Sequence, residues 1–379
     1  MRIAYYAPMK PPTDSVPSGD REIARLFRRV LVEAGHDVHL ASRFRTWEGK
    51  GDSCRQQRLC RIGTRLADRL LRRYRMEPPT HRPAMWFTYH LYHKAPDWLG
   101  PRVSQGLGIP YVVAEASYAP KQSGGPWRIG HDAVGHAIDH ADAVLALNAK
   151  DIGCVRPLLK NPKQLVHLGP FLDTSRYAVN GDRGECRSAL AQRFDLDSEV
   201  PWLLAVGMMR EGDKLASYQM LGAALKELAD RPWRLLIVGD GDARLAVEAA
   251  FRESGDRVVF AGLQSPESLL PFYAAADIFV WPAVNEAFGM ALLESQAAGM
   301  AAVVGHTVGV ADIVRHDQSG VIVLPSDVRA FASALGSLLQ APARIRQMGL
   351  AARDLAAREH GLTSATETIN RVIQRLCRL

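Results

Sequence analysis

Short apolar runs alternate with stretches of helical periodicity along this whole chain, and that alternation admits few folds. A strand buried on both faces reads as a continuous apolar run, and a run followed by a helix and then another run is the mark of parallel α/β units. The first series has strand candidates at 3–7, 36–41, 85–89, 111–114, 143–147 and 165–168. A helix over 19–34 carries Ile23, Leu26, Phe27, Val30 and Leu31 on one face and stops at Gly35. After a polar stretch at 180–184, a second series follows at 202–206, 234–238, 258–261, 278–281, 301–304 and 321–324, with a helical tail over 328–378. The expectation is an α/β protein of two Rossmann-like parallel-sheet domains facing each other across a cleft, with C-terminal helices. The domains are expected at 1–178 and 179–360, with a last helix at 361–379 packing back on the first. Ligands of such sheets sit outside the carboxyl ends of the strands.

At 379 residues the chain is long enough for two cores. Its mean hydropathy is −0.10, and no apolar run reaches the roughly 18–20 residues of a membrane-spanning helix. The beginning of the chain is unlike a secretion signal. Cys54, Cys60, Cys154, Cys186 and Cys377 are scattered without zinc-type pairing, as expected of reduced thiols in a cytoplasmic protein. The net charge of +7 is concentrated, with eight arginines between Arg55 and Arg75. Leu59, Ile62, Leu66 and Leu70 recur there at helical spacing, giving a basic amphipathic helix. Two readings stand: a core-facing helix with a solvated basic face, or a docking surface for an anionic membrane. Nucleic acid is not expected, since no nucleic-acid module surrounds the stretch.

The most informative motif is Asn285-Glu286-Ala287-Phe288-Gly289-Met290-Ala291-Leu292-Leu293-Glu294, with two carboxylates eight positions apart, which follows the apolar run 278–281. It places Glu286 on a loop and Glu294 about two turns into a helix whose first N–H groups are free to meet phosphate or sugar oxygens. The plain alternative is a carboxylate favouring the helix dipole by about 0.3–1 kcal/mol and a solvated Glu294. Upstream, the strand at 202–206 runs into Gly207, Arg210 and Lys214, where two cations flank a helix start. Gly239-Asp240-Gly241-Asp242 follows the strand at 234–238. It reads as a tight turn with Asp242 capping the next helix rather than as a D-x-D metal site. A dehydrogenase's dinucleotide loop is the alternative, and its signal is poor because Arg244 stands where the third glycine of G-x-G-x-x-G belongs. His136 and His140 share a helix face but lack a third ligand, and a helix end with C-terminal histidines is the simpler reading.

The 285–294 pattern resembles the E-x7-E signature of retaining GT-B glycosyltransferases of family 4 (glycosyl transferases group 1), including its Phe-Gly. The strand–Gly–Arg…Lys segment is similar to that family's diphosphate clamp, though Leu215 stands where glycine is frequent. The resemblance implies transfer of a sugar, with retention, from a UDP- or GDP-type nucleotide-diphosphate sugar to a glycan or lipid-linked cell-envelope acceptor, with no metal and no further cofactor. It implies Glu286, Arg210 and Lys214 as catalytic residues. It further implies Gly19, Gly207, Gly239, Phe288, Gly289, Met290 and Glu294 as donor-binding residues, with Glu286 on the sugar and Glu294 on the ribose. The family frequently carries an active-site histidine after the strand matching 111–114, but here the chain reads Glu115-Ala116-Ser117-Tyr118. Glu115 and Ser117 are therefore the acceptor-side candidates. The expected partners are the nucleotide sugar, the acceptor and an anionic membrane surface through 55–75. The expected location is cytoplasmic, peripheral to the inner membrane face. The rival expectation is a non-catalytic nucleotide-sugar-binding or membrane-associated partner protein.

Overall fold

The computed structural model describes residues 1–16, 18–177, 182–286 and 289–377. Two compact units account for it: 1–169 together with 362–379, and 170–361. The division falls before 178 because Phe171 and Leu172 are already buried, Leu172 in the core of the second unit.

The first unit holds β1 (Arg2–Tyr6), β2 (Asp37–Leu40), β3 (Met85–Leu91), β4 (Tyr111–Ala116), β5 (Ala143–Ala146) and β6 (Leu165–His167). They form one parallel sheet in the order β2-β1-β3-β4-β5-β6. The second holds β7 (Trp202–Val206), β8 (Arg234–Val238), β9 (Val258–Gly262), β10 (Ile278–Trp281), β11 (Ala301–Gly305) and β12 (Gly320–Val323). Its sheet is also parallel, in the order β12-β11-β10-β7-β8-β9. Every predicted strand is present, because parallel strands bury both faces and are nearly all apolar. Each sheet reverses its winding once, between β1 and β3 in the first unit and between β7 and β10 in the second. Those reversals open a crevice beyond the strand ends, and loops that follow the two strands meet there.

The chain's last helix, Leu362–Cys377, buries Leu362, Ala365, Ile369, Val372 and Ile373 and packs beside the helix Gly19–Glu33. The basic segment is the helix Ser53–Met76, started by Asp52, whose carboxylate accepts from the N–H groups of Cys54 and Arg55. Its inner face is spent on the protein. Gly63 lies under Trp98, Gly106 under Leu71, and Leu70 and Tyr74 are buried. Among the described residues no helix is long and apolar enough to cross a membrane.

Candidate functional site

In the second unit the loop after β10 folds over the start of the helix after β7. Lys214, in the first turn of the helix Asp213–Lys226, donates from Nζ to Glu286 Oε2. The same oxygen accepts from Trp281 Nε1 at 3.1 Å, and the ammonium lies 5.0 Å from the Trp281 ring centroid. Trp281 stands edge-on to Tyr218, whose hydroxyl donates to the Gly207 carbonyl at 2.8 Å. Two further bonds pin the loop to the helix: Asn285 Nδ2 to Asp213 Oδ2 at 2.9 Å, and the Val284 N–H to Ser217 Oγ at 3.0 Å. Holding it there takes left-handed backbone at Ala283 (φ 56°), Asn285 (φ 51°) and Gly289 (φ 63°). Such conformations cost free energy at non-glycine residues and collect at ligand sites.

Lys214, Trp281 and Glu286 border a cavity of about 430 Å³, within the usual range for a small-molecule site. Gly207, Lys214, Gly239, Trp281, Glu286 and Met290 are on its wall. Gly289 caps the helix Met290–Ala297, whose opening residues also line the cavity, so N–H groups without intrahelical partners start at its edge. Gly239 is required on two counts. Its φ is 140°, and a Cβ there would stand 1.9 Å from the Gly207 carbonyl oxygen. An ammonium, a carboxylate, an indole and a helix start around one cavity can bind a diphosphate and a sugar hydroxyl together.

The other predicted residues are placed less centrally. Arg210 is exposed, its Nη2 3.1 Å from Met208 Sδ, and it is not on the cavity wall. Phe288 lies outside the described residues. Glu294 is half-buried and off the cavity wall; its Oε2 accepts from the Tyr273 hydroxyl at 2.7 Å. Burial raises the Glu294 pKa, while hydrogen bonds from Tyr273 and Tyr177 and the charge of Arg176 pull it back. Asp240 and Asp242 are exposed. Asp240 lies 3.5 Å from Arg244, and the helix Arg244–Ala250 begins after Ala243 without the side-chain cap expected from Asp242. His136 and His140 have ring centroids 6.1 Å apart, and among the described residues no three potential ligands gather around a metal position.

In the first unit, Gly19 is the first residue of its helix. Ser18 Oγ accepts from the Arg21 N–H at 3.2 Å, and a Cβ on Gly19 would meet nothing within 4 Å. Glu115, near the end of β4, is buried and has φ 59°; Ser117 donates to Asp151 Oδ1 at 2.8 Å. The residue that the sequence reading missed is His90, near the end of β3 and also at φ 59°. Its Nδ1 lies 2.6 Å from Asp20 Oδ1 and 4.0 Å from Glu115 Oε1. Burial by itself would lower its pKa; Glu115, then the Asp20 hydrogen bond and charge, then Asp151, raise it to about 9. The available signal was Tyr89-His90-Leu91-Tyr92-His93, directly after an apolar strand.

Residues 200–341 match the family model described as glycosyl transferases group 1. The D-inositol 3-phosphate glycosyltransferase of Nocardia farcinica is 33% identical over 197 residues, covering 48% of this chain and 41% of that protein. The 2-deoxystreptamine glucosyltransferase of Streptomyces kanamyceticus is 28% identical over 284 residues, 70% of each. The matches to inositol phosphate glycosyltransferases such as the Nocardia protein span about half of those relatives' own length. Among solved structures, sucrose-phosphate synthase from Thermosynechococcus elongatus superimposes with a TM-score of 0.73 at 19% identity, over 99% of both chains. Anabaena HepE in complex with UDP-glucose gives 0.68 at 14% identity, over 100% of both. The fold of this chain is the two-unit α/β fold of GT-B glycosyltransferases.

Proposed function

Because residues 200–341 belong to the glycosyl transferases group 1, we propose that the protein is a retaining glycosyltransferase using a UDP- or GDP-type nucleotide-diphosphate sugar. The observation that carries this is the Lys214–Glu286–Trp281 cluster on the wall of a cavity at the winding reversal of the second sheet. Glu286 grips a sugar hydroxyl, and the N–H groups from Gly289 onward meet the diphosphate. Glu294 holds the ribose. The bond from the anomeric carbon to the diphosphate oxygen breaks with its electron pair on the diphosphate. The acceptor hydroxyl oxygen bonds to the same face of that carbon, and its proton passes to an oxygen of the departing diphosphate. Lys214, with Arg210 reaching in from its exposed loop, balances the charge on the leaving group without a metal. Preorganised charge of this kind contributes about 2.7–4 kcal/mol per donor removed in comparable sites.

The test is a panel of UDP and GDP sugars with glycan and lipid-linked acceptors, reading diphosphate release and the anomeric configuration of the product by NMR. Release with a retained configuration, unchanged by a chelator, supports the proposal. Binding without any release returns the protein to the class of nucleotide-sugar binders.

A further partner is proposed on the helix Ser53–Met76, which would hold a cytoplasmic enzyme peripherally at the inner membrane face. Arg55, Arg58, Arg61, Arg65, Arg69 and Arg72 are exposed, form no ion pair among the described residues, and at 100° per residue fall on one stripe. The apolar side of the helix is committed to the core, so contact with an anionic bilayer is electrostatic, on the order of 1 kcal/mol per arginine at low salt. Vesicles of phosphatidylglycerol should co-sediment the protein and high salt should release it. Equal binding to phosphatidylcholine would remove this partner.

A further inference from the structure

The first sheet's winding reversal falls between β1 and β3, and the group assembled beside it has no assigned role. Asp20 follows β1, His90 is the penultimate residue of β3, and Glu115 is the penultimate residue of β4. The two left-handed residues face one another in register: Tyr89 pairs with Ala114 and Leu91 with Ala116, with His90 and Glu115 between. Neither is a glycine, so the backbone holds strain at both in order to aim these side chains. Asp20 takes His90 Nδ1, and Glu115 stands behind it. The Tyr89 hydroxyl bears on the Glu115 carboxyl without reaching hydrogen-bond geometry, so Glu115 Oε2 is sealed with no partner. His90 Nε2 differs: it has no hydrogen-bond partner among the described residues and is not among the sealed atoms. The ring therefore presents one free N–H outward. Two carboxyl groups, those of Asp20 and Glu115, stand within 4.0 Å of the one imidazole. A lone imidazolium would attract phosphate; this one is already faced by the Asp20 and Glu115 carboxyl groups, which a phosphate dianion would also meet.

We infer that Asp20, His90 and Glu115 form an acceptor-selecting group in which His90 Nε2–H donates to an uncharged hydroxyl, favouring unphosphorylated polyols over phosphorylated ones. The inference rests on the glycosyltransferase reading and supplies its acceptor class. His90 acts as a fixed donor and not as a base, because its proton is held up to about pH 9. Tyr89 and Tyr92 are the other titratable groups beside it; burial raises both, so neither ionises below that point.

The experiment measures initial rates with one working donor and matched pairs of cyclic polyols, free and phosphorylated, for the wild type, His90→Ala, His90→Gln and Asp20→Asn. A melting shift with nucleoside diphosphate checks that each variant is folded. Losing a charged donor should raise KM for the polyol roughly 10- to 100-fold in His90→Ala, with partial rescue in His90→Gln, which keeps an N–H. Asp20→Asn should move the alkaline limb of the pH profile down by about one unit, which a merely structural role would not do. An unchanged polyol KM in folded His90→Ala, or a wild type that prefers the phosphorylated partner, overturns this inference while leaving the transferase reading standing. A wild type that turns over no donor at all removes both.

Discussion

The Lys214–Glu286 pair sets up a competition that one substitution can expose. In the free protein the Lys214 ammonium is occupied by Glu286, with side-chain exposures of 31% and 15%. A diphosphate that recruits Lys214 has to displace that carboxylate. A fully exposed pair would be worth about 0–1 kcal/mol; this half-buried, charge-assisted one is worth about 1–2 kcal/mol. Glu286→Gln removes the charge, while its amide oxygen can still accept from Trp281 Nε1. Freed of its partner, Lys214 should bind nucleoside diphosphate about 5- to 30-fold more tightly. Turnover should move the other way. If Glu286 grips the donor sugar through a charge-assisted bond, kcat/KM should fall about 10- to 100-fold. Titration calorimetry with UDP and GDP gives the first quantity and steady-state kinetics the second. Weaker or unchanged diphosphate binding would refute the reasoning, because Lys214 would then not be the group for which phosphate and Glu286 compete. In Lys214→Gln the gain from Glu286→Gln should vanish.

Gly239→Ala should destabilise the second unit by about 3 kcal/mol or more, since the new methyl meets the Gly207 carbonyl and φ is 140°; a normal denaturant midpoint would contradict the loop geometry. Glu294→Ala should weaken nucleoside diphosphate about tenfold but leave inorganic diphosphate unaffected, as a ribose ligand requires; equal loss for both would remove that role. Arg210→Ala should leave stability within about 0.5 kcal/mol, the side chain being exposed, and lower turnover, with near-normal turnover counting against Arg210 in the clamp. Stability should also depend on pH through His90. Its folded pKa of about 9 lies above an unfolded value of 6.5, so its contribution is complete below about pH 6.5 and fades as pH rises through 9. The gap of about 2.5 units corresponds to on the order of 3 kcal/mol at most. Denaturation midpoints should fall over that window in the wild type but not in His90→Gln.

The central strands could be read from the chain because both their faces are buried, and β7, β8 and β10 fall on the predicted residues. What escaped was at the strand ends. β3 and β4 run on to Leu91 and Ala116, past the points where the apolar pattern stops, and the polar residues there are His90 and Glu115. Their left-handed backbone departs from strand geometry, so no propensity marks them. Glu286 and Lys214 were legible as separate candidates 72 positions apart, but their pairing depends on β7 lying beside β10. That adjacency is a crossover no local pattern announces. The same holds for Asp20 and His90, brought together by β1 beside β3. Arg210 and Lys214 looked alike in sequence; only Lys214 lies on the helix turn that faces the cavity.

Binding of a nucleotide-diphosphate sugar in the second unit's cavity is tested directly by a thermal melt. UDP, GDP and their sugars would each be added at concentrations up to millimolar to the wild type and to Lys214→Ala. At about 100 times its Kd, the right ligand should add about 2.7 kcal/mol of apparent stability, a rise of several degrees for a unit of this size. That rise should shrink in Lys214→Ala. A wild-type melting temperature unmoved by every nucleoside diphosphate and every nucleotide sugar would contradict it.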